Sequence, residues 1–214
     1  MGTVIIGADV GQRVDPTAIC VADLERRETT ETVPVGMLHG AQVLETRTRT
    51  VDHYLVRWLD RLPLGTTYPD VAERLRDICA AVRRRSGETP TLFVDATGVG
   101  QGLVDMLKKA GIQARIRGCY FNHGDRRTSE GGEVRIGKAW LVGHLQVLLQ
   151  SGRLHLAKSA ESEALARELL DYEIRVSENG TDTYGAFKVG RHDDLVTALG
   201  LAVQPVRIPW GIAG

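Results

Sequence analysis

Residues 91–95, Thr-Leu-Phe-Val-Asp, constrain the fold more than any other stretch of the chain. A five-residue segment that is almost wholly apolar suits a strand buried on both faces, at the centre of a sheet covered by helices. Its flanks agree. Over 69–85, Val71, Leu75, Ile78, Cys79 and Val82 recur at helical spacing. Arg83, Arg84 and Arg85 suit the C-terminal end of that helix, which Gly87 and Pro90 close. After the strand comes TGVGQG, then a helix over 99–110 with Leu103, Leu107 and Ala110 on one face and Gly111 as its cap. Residues 112–117 (IQARIR) read as the next strand. Together 91–117 form a βαβ unit, hence a parallel pair joined by a crossover helix.

The N-terminal part adds antiparallel strands. Residues 3–9 (TVIIGAD) form a short apolar strand ending in a carboxylate, Gly11 and Asp15-Pro16 supply a turn, and 17–23 (TAICVAD) return as a second strand. A third strand is expected over 34–46. Residues 118–136 are polar, glycine-containing and basic, and read as a loop. A helix over 137–151 aligns Leu141, Leu145, Leu148 and Leu149; a short strand at 153–156 and a helix at 160–170 follow. Asn179-Gly180 between YEIRVS and TYGAFKV signals an accessory hairpin. The last helix starts near His192 and buries Leu195, Leu199, Ala202 and Val203. The expected architecture is α/β, a mixed central sheet flanked by helices, with one domain over 1–205 and a tail over 206–214.

Composition narrows the function. Apolar residues make up 43% and charged residues 25% of the 214, ordinary for a globular domain with a real core. No apolar run is long enough to span a bilayer. Cys20, Cys79 and Cys119 are odd in number and far apart, which argues against a disulfide framework or zinc site and favours a reducing cytoplasm. The formal net charge is zero, but residues 108–138 carry eight basic side chains (Lys108, Lys109, Arg115, Arg117, Arg126, Arg127, Arg135, Lys138) against three acidic ones, a net +5. Most such clusters are solvated surface; beside a carboxylate site, one suits a phosphate backbone.

Three carboxylate positions fall at element edges: Asp9, Asp95, and the pair Asp193-Asp194. One aspartate at a strand end is ordinarily a turn former or a cap. The combination is stronger, because adjacent central strands bring Asp9 and Asp95 together and the final helix can approach the same spot. Clustered carboxylates repel unless a cation lies between them, and hard oxygen ligands select Mg²⁺ or Mn²⁺. Two such ions about 3.5–4 Å apart can clamp a phosphodiester without any nucleophilic side chain.

GADVGQRVDPTAICVAD, LFVDATGVGQGLVDML and GRHDDLVTALGLA, in that order, resemble the nuclease domain of the large terminase subunit of tailed bacteriophages over about residues 2–204. The resemblance implies an RNase H-like fold and a metal-dependent endonuclease that cuts concatemeric double-stranded viral DNA during genome packaging. It assigns Asp9, Asp95, Asp193 and Asp194 to the metals as catalytic acids. Neighbouring helical residues point about 100° apart, so Asp193 and Asp194 take different roles. Asp15 and His192 are expected beside the metal-binding acids, and Lys138 and Arg135 as phosphate contacts or basic groups near the site. The resemblance further implies an ATPase motor domain, a small terminase subunit and a portal as partners in the host cytoplasm. The isolated domain is expected to be monomeric.

Gly132–Lys138 fits G-x4-G-K, but Ala139 stands where a phosphate-binding loop needs Ser or Thr, so no motor is expected in this chain. Rival readings are a Holliday-junction resolvase of the same superfamily, an actin-like phosphotransferase suggested by the opening DxG, and a non-enzymatic packaging module.

Overall fold

The structure is a computed structural model; it describes residues 3–11, 15–38, 41–98, 100–171, 173–176, 182–185 and 193–206. Its centre is β1 (Thr3–Asp9), flanked by β4 (Thr91–Asp95) in parallel and by β2 (Ala18–Leu38) in antiparallel pairing. β3 (Ala41–Arg61) pairs with β2, and β5 (Arg115–Asn122) lies parallel to β4. β7 (Glu133–Gly137) continues parallel to β5, β6 (Arg127–Glu130) closes that edge, and β8 (Leu154–Leu156) joins β3 at the other. The eight-stranded order is β6-β7-β5-β4-β1-β2-β3-β8. This is the mixed sheet expected from the βαβ unit and the N-terminal antiparallel strands.

Alternation along the strands sends side chains into two cores. Val4, Ile6 and Ala8 face the layer of α1 (Tyr68–Ser86) and α2 (Gly100–Lys109), with Leu75, Cys79, Leu103 and Leu107. Ile5, Cys20 and Phe93 face the other layer, built by α3 (Lys138–Gln150), α4 (Ala160–Asp171) and α5 (Asp194–Ala202). α1 begins as its sequence suggests, with Thr67 accepting from the Asp70 amide and a proline in the first turn, and it ends on Gly87 at φ 74°. The accessory hairpin pairs β9 (Glu173–Val176) with β10 (Asp182–Gly185); its Asn179-Gly180 connection lies outside the described residues.

Three expectations are corrected. The strand expected over 34–46 covers only the end of β2 and the start of β3, which each run 21 residues and pair as one long antiparallel hairpin. Threonines, valines and paired charges of that ribbon suit β pairing without a buried face, so apolar periodicity gave no sign of it. The strand expected over 112–117 lies over 115–122. The loop expected over 118–136 holds the end of β5, all of β6 and most of β7. β6 is the edge strand and β7 its neighbour, both short, and exposed polar positions are normal there.

Candidate active site at the carboxyl ends of the parallel strands

β1, β4, β5 and β7 run parallel, so their C-terminal ends share one edge, where open α/β sheets place their sites. Asp9 ends β1 and Asp95 ends β4. Both are half-buried, and each carboxyl lies close enough to act on the other. Burial, then the carboxylates of Asp95, Asp193 and Asp194, push the Asp9 carboxyl well above the usual carboxylate range. The charge of Lys138 opposes this. Burial also raises Asp95, against the pull of the Thr97 amide and hydroxyl, Lys138 and Asp9. The Thr97 amide donates to Asp95 Oδ1 at 2.8 Å, so Asp95 forms the turn as well.

Two glycines allow this convergence. A Cβ on Gly7 would stand 2.2 Å from the Ala198 carbonyl oxygen and 2.5 Å from the Ala202 amide, so α5 lies on β1 backbone against backbone. That contact brings the start of α5 to the end of β1. A Cβ on Gly100 would stand 1.9 Å from the Asp95 carbonyl oxygen, so α2 also starts directly on the acid-bearing turn.

The pair at α5 divides its roles. Asp193 occupies the N-cap position but makes no capping bond. Glu168 of α4 caps the helix instead: its Oε2 accepts from the Leu195 and Val196 amides at 3.0 and 3.2 Å. Its other oxygen accepts from Arg61 Nη2, and Arg61 Nε donates to Asp194 Oδ2 at 2.6 Å. Asp194 and Glu168 are buried, and Arg61 is the cation between them. Asp194 is therefore tied into the fold, while Asp193 is half-buried and charges the Asp9 site more strongly than Asp194 does.

Sequence reasoning missed Arg61 and Glu168. Arg61 ends a strand that the sequence left unread. Glu168 carried a signal: it lies among Ala164, Leu165 and Leu169, a carboxylate on the apolar stripe of a helix.

The other expected residues divide. Lys138, first residue of α3, acts on both Asp9 and Asp95. Arg135 projects from an exposed position of β7, and its charge acts on Tyr120. Asp15 is exposed in the bend after β1, where the Gly11 amide donates to Thr17 Oγ1. His192 lies outside the described residues. The basic window does not form one patch. Arg115 pairs with Thr91 at the opposite end of β4 from Asp95, and Lys108 and Lys109 end a helix that starts at the acids. Arg127 is held by Gln204 Oε1 at 2.7 Å and lies over the Trp140 ring. The residues between Gly132 and Lys138 are mostly strand β7, not a loop around phosphate.

Among the described residues, no three His, Cys, Asp or Glu side chains are gathered tightly enough to hold a metal ion as they stand. The donor set nonetheless fits a hard cation: all oxygen, and crowded with like charge that a cation would relieve.

Solved structures match over most of the chain. The large terminase nuclease of thermophilic phage G20c with bound magnesium superposes with a TM-score of 0.57 at 21% identity, covering 94% of this chain and 80% of that one. The nuclease domain of the Thermus phage P74-26 large terminase gives 0.55 at 20%, covering 94% and 78%. The chain has the RNase H-like fold of the large-terminase nuclease domains. A cobalt-bound G20c nuclease matches equally, with a TM-score of 0.57 at 21% identity, covering 94% of this chain and 80% of that one. No protein-family profile and no curated protein sequence matches the chain.

Proposed function

We propose that this chain is the nuclease domain of a large terminase, spanning 1–205 with a tail over 206–214, and that it cuts concatemeric double-stranded viral DNA. The observation that carries the reading is the meeting of Asp9 and Asp95 at the ends of adjacent parallel strands, with α5 seating Asp193 and Asp194 beside them. The resemblance of the three acid-bearing segments and the magnesium- and cobalt-bound neighbours support it.

Asp9, Asp95 and Asp193 would hold the ions, two Mg²⁺ or Mn²⁺. Asp194, with Oδ2 committed to Arg61, serves chiefly to fix the start of α5. Bound divalent ions supply charge neutralisation and water activation at a phosphodiester. The chain's own residues do the rest. Asp9 must lose the proton that burial and its neighbours favour. Lys138 offers a positive charge beside the acids, where a DNA phosphate can pair with it. Glu168 and Arg61 keep the N-terminus of α5 pointing at the site, where its dipole eases the carboxylate crowding.

In this reading, double-stranded DNA is the substrate, and the ATPase motor domain, small subunit and portal are partners in the host cytoplasm. No described helix is long and apolar enough to cross a membrane. The test is nicking and linearisation of supercoiled plasmid with Mn²⁺, Mg²⁺ or EDTA, comparing wild type with Asp95→Ala. Metal-dependent cutting that the variant loses is expected. Cutting that survives in EDTA, or in Asp95→Ala, would overturn the assignment. A preference for four-way junctions over linear duplex would favour the resolvase reading.

A further inference from the structure

The β2–β3 hairpin outruns the sheet. β1 covers β2 only as far as Leu24, and β8 covers β3 only at Tyr54–Val56. Beyond them, from Arg26↔Asp52 to Leu38↔Ala41, the two strands form a bare ribbon about 40 Å long at ~3.3 Å per residue. Every side chain over 41–50 is exposed, including Val43 and Leu44. A two-stranded ribbon with no covered face is marginal in water.

Its edges differ. The β2 edge carries Pro34 and a register irregularity between Pro34 and Gly36, devices that block further pairing. The β3 edge is open from Ala41 to Val51, beyond which the Asp52 carbonyl accepts from Arg153 Nε; it contains no proline, glycine or lysine, and among the described residues no strand pairs with it there. It carries charges of both signs: Glu45, Arg47 and Arg49. Glu45 and Arg47 share one face, where they bond each other at 2.9 Å.

We infer that a second copy of this chain docks on this edge, β3 against β3, antiparallel and centred on Thr46. Two independent features select that register. The open segment 41–51 has Thr46 at its middle, so this register pairs the whole edge of one copy with the whole edge of the other. It also sets Glu45 of each copy opposite Arg47 of the other, two symmetric pairs of opposite charge with no like pair. A shift of two residues in one direction places Glu45 against itself, and in the other Arg47 against itself. The result is a four-stranded ribbon with twofold symmetry, in which the Glu45–Arg47 bonds within each copy are exchanged for bonds between copies. Such a dimer is weak and concentration-dependent, and departs from the monomer expected from sequence.

Charge complementation tests the register. Wild type, E45R, R47E and the double variant E45R/R47E are run by sedimentation velocity across a concentration series, with plasmid cutting as a control. These exposed side chains lie far from the acids, so folding and cutting are unchanged. Wild type and the double variant dimerise, since the double swap restores opposite charges. Each single variant brings like charges together at two symmetric positions and weakens the dimer about tenfold or more. An equimolar mixture of the two single variants forms a heterodimer that neither forms alone. Wild type that stays monomeric up to its solubility limit overturns the proposal and leaves the edge to a strand from another protein. A dimer indifferent to both single substitutions overturns it equally, since copies then meet elsewhere.

Discussion

Replacing Arg61 by methionine isolates the part of the site that the fold itself depends on. The substitution keeps an apolar stem along β3 and removes the guanidinium, leaving Asp194 and Glu168 as two buried carboxylates without their shared cation. Removing one partner of a fully buried pair costs about 3–5 kcal/mol. Here the Arg61 side chain is 30% exposed, against 9% for Glu168 and 3% for Asp194, so water recovers some of that loss. A cost of about 3 kcal/mol follows. For a domain of this size each kcal/mol moves Tm by about 2–4 °C, giving a fall of roughly 6–12 °C. Urea denaturation in EDTA measures the effect without any metal contribution. A second substitution supplies the internal control. In the Arg61→Met background, Glu168→Gln removes one of the two stranded charges yet keeps an acceptor for the Leu195 and Val196 amides. It should restore on the order of 1 kcal/mol, whereas in wild type the same change destabilises. A loss below about 1 kcal/mol for Arg61→Met, or no rescue by Glu168→Gln, would refute the claim that Arg61 is the counter-charge holding α5.

Other perturbations test the neighbouring links. The Asp9 carboxyl is raised by burial and by its carboxylate neighbours, so the folded protein holds that proton to higher pH than the unfolded chain, which releases it near about 3.9. Its contribution to metal-free stability is therefore present below that value and lost as pH rises through the folded pKa; Asp9→Asn should remove that slope from a Tm series in EDTA, and stabilisation of wild type by Mn²⁺ should grow over the same range. Gly7→Ala forces a methyl into the backbone of α5, with an expected cost of about 1–3 kcal/mol by denaturation and a proportionally larger loss of plasmid cutting, because the start of α5 shifts. Lys138→Met should weaken DNA binding and reduce the slope of log affinity against log salt by about one in a filter-binding series; an unchanged slope would remove Lys138 from the phosphate path.

How much of this was legible in the sequence follows from what each element buries. β4, α1, α3 and α5 bury apolar side chains at a regular period, and their positions in the chain declared them to within a residue or two. Asp9, Asp95, Asp193 and Asp194 stand out as candidates because each lies at the edge of an apolar strand or helix. Among the described side chains, β2 and β3 beyond Leu24 and Tyr54 bury nothing, so alternation has no hydrophobic signature to leave, and sequence pattern places only a short strand across the ribbon's tip.

The polar scaffold was hidden for a different reason. Arg61, Glu168 and Asp194 lie on three elements that meet only in the folded chain, with Arg61 and Glu168 107 positions apart. No local pattern links them. What the sequence did contain was a pair of adjacent aspartates at a helix start, which by composition alone look interchangeable. The fold separates them by giving the capping task to Glu168 from another helix. A helix start normally uses its N-cap side chain to satisfy its own amides; here that demand is met from outside, so the Asp193 carboxylate faces the acid cluster rather than its own helix. Glu168→Ala should therefore act on the site through Asp193: with the Leu195 and Val196 amides unsatisfied, Asp193 is drawn into capping, and affinity for Mn²⁺ falls although every acid of the site is intact. Calorimetric titration of Mn²⁺ into Glu168→Ala and Glu168→Gln decides this. The glutamine variant, which still accepts from both amides, should bind the ion nearly as wild type does; equal losses in the two would mean that the charge of Glu168, not its cap, is what the site requires.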